Sequence, residues 1–232
     1  MIRALAFDVF GTVVDWRGSI IREGAARWAP RGVEADWAAL ADAWRERYQP
    51  SMEEVRRGRR AWTPLDALHR ESLDELLPSF GLGGLDESQR EELTMAWHRL
   101  TPWPDAREGL RRLRARFKLA TLSNGNRSLL EDLVHFGDLP FDVVVSAEDF
   151  HAYKPDPRAY RGAAETLGCA PSELALVAAH PDDLRAAAAE GLRTAYVTRP
   201  LEWGPGGSAP DADPSFDVVA TDFEDLAGKF DC

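Results

Sequence analysis

The sequence predicts an α/β protein: a doubly wound parallel-sheet core with a helical cap inserted after its first strand. Two observations predict it. Beyond Pro102, helix-period segments alternate with short apolar runs, the pattern of a parallel sheet covered by helices on both faces. From about Trp16 to Leu100 only helix-period segments recur, with no convincing strand. The division expected is a core of residues 1–15 and 101–232 and a cap of residues 16–100. An insertion after the first strand sits over the carboxyl ends of the strands, where open α/β sheets bind ligands.

The elements follow in order. Ile2 to Val9 is short, apolar and bounded by Gly11, as expected for a strand buried on both faces. Glu34 to Gly58 reads as a helix, with Trp37, Leu40, Ala41, Trp44 and Tyr48 at helical spacing. Helices over Pro64 to Leu77 and Glu87 to Leu100 are separated by Gly81-Leu82-Gly83-Gly84. In the second half, a helix over Asp105 to Arg116 precedes a strand over Lys118 to Leu122, and a helix over Arg127 to His135 precedes a strand over Phe141 to Val145. A helix over Pro157 to Leu167, a strand over Leu174 to Ala178, a helix over Asp182 to Glu190 and strands over Thr194 to Val197 and Asp217 to Val219 complete the pattern. Glu202 to Pro214, rich in Gly and Pro, is a loop.

Bulk properties narrow the function. A chain of 232 residues, 44% hydrophobic and 29% charged, is globular and long enough for a sizeable core. Its net charge of −11 argues against nucleic acid or an anionic membrane as partner. A small anion would need locally placed basic residues. Cys169 and Cys232 read as free thiols rather than a disulfide or metal pair. The run Ala4 to Phe7 is too short for a signal peptide, and no stretch approaches the roughly 20 apolar residues of a membrane span. A cytoplasmic protein acting on a small molecule is expected.

Asp8 closes the first strand in Phe7-Asp8-Val9-Phe10-Gly11-Thr12. A carboxylate there belongs at the sheet terminus, because burying it unpaired within the strand would be costly. Other strand ends are polar too. Ser123-Asn124-Gly125 ends the next, Ser146 with Lys154-Pro155 follows the third, and His180 and Asp183 follow the fourth. In a doubly wound sheet such groups converge on one crevice.

At these residues the chain resembles the haloacid dehalogenase superfamily, whose core is Rossmann-like. Asp8 to Thr12 resembles its nucleophile motif, Ser123-Asn124 its second motif, Lys154 in Tyr153-Lys154-Pro155-Asp156 its third, and Asp183 the acidic residue of its fourth. Most members are magnesium-dependent phosphatases with a second Asp two residues after the nucleophile and a Gly-Asp pair before the final Asp. Here those positions hold Phe10 and Ala178-Ala179. An alkoxide leaving group needs a positioned acid and phosphoryl transfer needs a cation, whereas a departing halide needs neither.

The closer resemblance is to the L-2-haloacid dehalogenases. Phe10 stands where they carry an aromatic, Trp44-Arg45 resembles their halide-contacting arginine, and Lys154 and Tyr160 match their Lys and Tyr. Their Val-Ser-Ser-Asn-Ala-Trp-Asp segment reads Val-Ala-Ala-His-Pro-Asp-Asp over residues 177–183, so His180 replaces Asn. The resemblance implies hydrolysis of short 2-haloacids to 2-hydroxy acids through an ester on Asp8, without metal or cofactor. It also implies the roles. Lys154 neutralises charge beside Asp8, and Asp183 holds Lys154 and orients or activates water. Ser123, Asn124 and Thr12 bind the substrate carboxylate or the nucleophile. Arg45, Phe10, Tyr160 and His180 form the substrate and halide pocket.

His180 can contact a halide, the nucleophile or the hydrolytic water, or simply cap the helix that Pro181 begins. The run Arg56-Arg57-Gly58-Arg59-Arg60 reads as a solvated or ion-paired face. The expected partners are a 2-haloacid and water, with a homodimer left open. Two other readings remain: an atypical phosphatase or phosphonatase-like hydrolase, and a catalytically silent small-acid binding module.

Overall fold

The structure, a computed structural model, describes residues 1–232. The chain enters as β1 (Ala4–Phe7). It then forms β2 (Val14–Asp15), whose antiparallel partner β3 (Thr101–Pro102) comes only after the helical block. Between them lie α1 (Trp16–Glu23), α2 (Trp37–Arg56), α3 (Leu65–Leu76) and α4 (Glu87–Thr94). The remainder alternates: α5 (Ala106–Arg114), β4 (Lys118–Thr121), α6 (Arg127–Gly137), α7 (Pro157–Leu167), β5 (Leu174–Ala178), α8 (Pro181–Ala189), β6 (Arg193–Val197), β7 (Val218–Ala220) and α9 (Phe223–Lys229). No helix is long and apolar enough to cross a membrane.

The main sheet is parallel, in the order β4-β1-β5-β6-β7. β1 pairs with β4 on one side (Phe7 opposite Thr121) and with β5 on the other (Phe7 opposite Val177). The order therefore reverses at β1, and the crevice beyond its carboxyl end is the place for a ligand. Every residue of β1 is buried, and the two faces serve different cores. Leu5 and Phe7 enter a large cluster shared with the helical block, while Ala4 and Ala6 face a smaller one with Tyr160, Leu176 and Leu184. An uninterrupted apolar run with period-two sorting is what a doubly covered strand requires.

Inside the block the large aromatics pack on one another. Trp97 stacks on Trp16 at 6.4 Å and meets Trp44 edge-on at 5.5 Å. It also meets Phe10 at 5.9 Å, so this aromatic core reaches the segment that follows Asp8.

Three expectations change. Phe141 to Val145 forms no continuous strand: Val143 makes an isolated bridge with Ala120, and Ser146, just beyond, makes another with Ser123. A few backbone bonds to β4 remain, such as the Thr121 amide to the Val143 carbonyl, and side chains intervene among them: Asp142 Oδ2 accepts from the Leu119 amide, and Thr121 Oγ1 exchanges hydrogen bonds with Val145. The helix expected to Leu100 ends at Thr94, whose hydroxyl bonds back to the Arg90 carbonyl at 2.8 Å, and a 3-10 turn follows over Met95–Arg99. Finally, α9 and the β2–β3 pair were not anticipated. Asp222 caps α9 through the Asp225 amide.

Candidate active site

Asp8 follows β1 directly, and its amide still bonds to the Val177 carbonyl at 3.0 Å. The chain then turns sharply: the Val13 amide returns to the Val9 carbonyl, and Gly11 takes φ +83°, a region that favours glycine. A Cβ at Gly11 would also run into the Glu202 carboxylate. Two outside groups hold this turn. Arg199 Nε donates to the Thr12 carbonyl at 2.8 Å, and Trp103 Nε1 donates to the Gly11 carbonyl at 2.8 Å.

The Asp8 carboxylate is buried and fully engaged. Oδ1 accepts from Lys154 Nζ at 3.0 Å. Oδ2 accepts from Thr12 Oγ1 at 2.8 Å and lies 2.9 Å from His180 Nδ1. Burial alone would raise its pKa, but the Lys154 ammonium, His180 and Thr12 more than offset this and hold it well below the usual carboxylate range. Lys154 is oriented at both ends: its amide donates to Asn124 Oδ1 at 2.7 Å, and Nζ reaches Asp183 Oδ2 at 2.5 Å. Burial pulls its pKa down, and the two carboxylates push it well above the ordinary range. Tyr160 completes the chain by donating to Asp183 Oδ1 at 2.7 Å.

On the other flank His180 bridges two carboxylates, with Nε2 at 3.1 and 3.2 Å from the Glu202 oxygens. Its side chain is 32% exposed. Desolvation lowers its pKa, but hydrogen bonds to Asp8 and Glu202 push it up to about 10. Glu202 is itself buried. Burial raises its pKa, and His180, Arg45 and Trp16 bring it below the ordinary value.

These groups border a cavity of about 720 Å³ lined by Asp8, Phe10, Asn124, Lys154, His180 and Asp183 from the sheet side. Arg45, Tyr48, Gln49, Glu53, Arg56 and Arg57 line it from α2. The Arg45 guanidinium lies 4.3 Å from the Tyr48 ring centroid and 5.3 Å from that of Trp16. Its Nη1 is buried without a hydrogen-bond partner. Aromatic stacking fixes the plane of such a group while its donors stay available to an anion. No group of three His, Cys, Asp or Glu side chains is placed to hold a metal ion. The positive charge between Asp8 and Asp183 is the Lys154 ammonium.

Of the residues expected at the site, Asp8, Lys154, Asp183, Asn124, Arg45, Phe10 and His180 share this cavity. Three do not line it. Thr12 is fully buried and acts on Asp8 from behind, its hydroxyl also accepting from the Ala179 amide at 2.9 Å. Tyr160 was expected in the substrate pocket, but its hydroxyl is drawn to Asp183 and its ring is buried in the smaller core. Ser123 is fully buried, and its hydroxyl accepts from the Gly125 amide at 3.3 Å, with no bond to Asp8.

Three further residues, Arg56, Arg57 and Glu202, contribute to the site. Arg56 and Arg57 are ion-paired with Glu53, as the expected solvated or ion-paired face requires, and both also line the cavity. Arg56 Nη1 donates to the Lys154 carbonyl at 3.0 Å. Arg59 and Arg60 do face outward, paired with Glu54 and Glu71. The helical period held the signal, since Arg45, Gln49 and Arg56 fall on one stripe of α2. Glu202 carried no such signal, because only the folded loop brings it to His180.

A family model described as haloacid dehalogenase-like hydrolase matches residues 2–191. The chain is 33% identical over 205 residues to (S)-2-haloacid dehalogenase 1 of Pseudomonas sp. (strain CBS-3), covering 85% of each. It superimposes on the crystal structure of the L-2-haloacid dehalogenase PA0810 with a TM-score of 0.96 and 45% identity, over 100% of this chain and 99% of that one. The crystal structure of the defluorinating L-2-haloacid dehalogenase Rha0230 gives 0.95 and 45%, over 100% and 96%. The parallel core, the Asp8–Lys154–Asp183 arrangement and these matches agree, and the chain belongs to the haloacid dehalogenase-like hydrolase family.

Proposed function

We propose that the protein is a hydrolase of carbon–halogen bonds, converting short 2-haloacids to 2-hydroxy acids through an ester on Asp8. The observation that carries this reading is the opposition of two groups across one cavity. Asp8 is a fully ionised carboxylate, and Arg45 presents a buried guanidinium nitrogen with no partner. A carbon held between them is attacked from the Asp8 side while its halide leaves toward Arg45. Phe10, where a phosphatase of this family would carry its general acid, is apolar and belongs to the wall.

The remaining roles follow from the contacts. Residues 16–100 serve as a cap over a core of residues 1–15 and 101–232. Lys154 holds Asp8 ionised and in place, Asp183 and Tyr160 hold Lys154, and Asn124 fixes the Lys154 backbone. Thr12 orients the attacking carboxylate. Arg56 and Arg57 share one carboxylate, Glu53, and so leave a net positive charge at the cavity, which an anionic substrate requires in a chain of net charge −11. After halide departs, water attacks the Asp8 carboxyl carbon and frees the hydroxy acid, so one difficult displacement becomes two easier steps. No step needs a metal, because Lys154 already supplies the cation beside Asp8.

The test is a halide-release panel with fluoroacetate, chloroacetate and bromoacetate, run with and without a chelator. Fluoride belongs in it because His180 lines the cavity beside Asp8, and because one solved relative is described as defluorinating. Release insensitive to the chelator is expected, and Asp8→Asn should abolish it with the fold intact. Magnesium-dependent hydrolysis of para-nitrophenyl phosphate, with no release from any haloacid, would overturn the reading.

A further inference from the structure

Arg56 stands apart from the other arginines near the end of α2. Its side chain is 16% exposed, against 60% for Arg57 and 48% for Arg59. Arg57 and Arg59 pair with Glu53 and Glu54 on the surface of the same helix. Arg56 is also held by its own helix, with Nε on Glu53 at 2.7 Å and Nη2 on the Gln49 side chain at 3.1 Å. Its Nη1, however, crosses to the core and donates to the carbonyl of Lys154 at 3.0 Å. A planar fork fixed at two of its nitrogens aims the third with little freedom.

The receiving segment needs such a hold. Residues 151–156 lie in neither helix nor strand, so no ladder fixes the backbone from which Lys154 extends. The core anchors it through the Lys154 amide on Asn124 Oδ1 at 2.7 Å and the Ala152 amide on the Ala147 carbonyl at 3.1 Å. The helical block adds three contacts, all from residues 56–63. Arg56 takes the Lys154 carbonyl, the Thr63 carbonyl accepts from the Tyr153 hydroxyl at 2.6 Å, and the Trp62 ring lies 4.6 Å from that of Tyr153. From this backbone Lys154 has to bring one ammonium within 3.0 Å of Asp8 and 2.5 Å of Asp183 at once. A flexible four-carbon stem reaches one such point reproducibly only from a fixed base.

α2 thereby touches both poles of the cavity. Arg45 and Arg56 are eleven residues apart, about three turns, and so share one stripe of the helix. Arg45 offers its unpartnered nitrogen to the leaving group, and Arg56 grips the residue whose cation sits on the nucleophile.

We propose that Arg56 is a positioning residue for the displacement step. It seats the Lys154 backbone from the helical block, so that the ammonium is shared between Asp8 and Asp183 only while the block is docked. The assignment rests on the dehalogenase reading and gives the block a task beyond covering the site. It is separate from the net charge that Arg56 and Arg57 lend the cavity. Charge draws the substrate in and acts on KM, whereas seating Lys154 acts on the step itself and therefore on kcat.

The test uses the full chain with chloroacetate. Arg56→Met should lower kcat for chloride release by about 10- to 10²-fold, the effect of misplacing a reacting group by about 1 Å, with KM changed by less than about threefold. Arg56→Lys keeps the charge but gives up the planar fork, and should still lower kcat by about threefold or more. A second readout needs no substrate. The chain has three lysines, and Lys118 and Lys229 are exposed. In protein isotopically labelled at lysine Nζ, Lys154 should give the one ammonium resonance that exchanges slowly with water, and that resonance should shift or broaden in both variants. If Arg56→Met does not fold, Arg56→Lys decides on the same two readouts. A raised KM at unchanged kcat, or a lowered kcat with the Lys154 resonance unmoved, overturns the proposal and leaves dehalogenation standing. Absence of chloride release from the wild type sinks the dehalogenase reading instead, and the lysine resonance alone then decides whether Arg56 holds Lys154.

Discussion

Lys154 Nζ lies 3.0 Å from Asp8 and 2.5 Å from Asp183, a single buried ammonium shared by two buried carboxylates. Removing it leaves two buried carboxylates without the charge that lies between them. Lys154→Met should therefore destabilise the protein by about 3–5 kcal/mol and sharply reduce halide release, because Asp8 loses the ammonium that does most to offset its burial and keeps only His180 and Thr12. Urea unfolding beside a chloride assay checks both, and a variant of wild-type stability would show that the ammonium is not the charge that balances them.

Arg45 differs from the other arginines of α2 in being stacked on Tyr48 with one nitrogen unpartnered. Arg45→Lys keeps the charge but loses the planar fork and the stacking. The loss of a charge-assisted hydrogen bond to the departing halide, about 1.5–3 kcal/mol, corresponds to a fall in kcat of about 10- to 150-fold. Stopped-flow measurement of chloride and bromide release reads it directly, and unchanged kcat for both halides would remove Arg45 from the leaving-group pocket.

His98 ties the helical block to the sheet layer. Nδ1 is 2.7 Å from Asp132 on α6, and Nε2 is 3.1 Å from Asp66 on α3. Burial lowers its pKa, but the two aspartates outweigh this and raise it above the ordinary value. A raised histidine pKa contributes stability that is complete below the unfolded value near 6.5 and is lost as pH rises through the folded one. His98→Gln should thus cost more stability at about pH 5.5 than at about pH 9. Thermal melts of both proteins across that range test this, and a difference independent of pH would contradict it.

Gly11 combines a left-handed backbone with a Cβ direction blocked by Glu202. Gly11→Ala should cost at least about 1–2 kcal/mol from the backbone alone and displace Glu202 from His180. Activity should fall further than stability does, which parallel melting and kinetic measurements would separate. Wild-type kinetics in this variant would mean that the turn tolerates a side chain without moving the carboxylate.

What was readable in the sequence was whatever local pattern dictates. β5 and α7 fall where periodicity puts them, because a doubly buried strand and a helix led by Asp156-Pro157 carry their own signals. Asp8, Lys154 and Asp183 were legible because strand ends of a doubly wound sheet converge. The segment from Phe141 looks like a strand in its apolar residues, yet Asp142 and Thr121 interpose side-chain bonds among its few backbone ones and it forms no continuous ladder. Tyr160 and Ser123 were assigned to the right neighbourhood but the wrong depth, a matter of side-chain direction that spacing does not encode. Glu202 was invisible, because its partners Trp16 and His180 are brought to it only by tertiary folding.

The two-residue ladder between β2 and β3 joins the outgoing and returning crossings of the helical block. It begins at Val14, whose carbonyl accepts from the Gly11 amide and whose own amide returns to Val9, while Trp103 bonds to Val13. The covering helices and the turn beneath the nucleophile thus share one stretch of backbone. Whatever holds the helical block in place therefore also braces the turn that carries Asp8, so a substitution that loosens the β2–β3 pair should disturb the nucleophile as well as the helices.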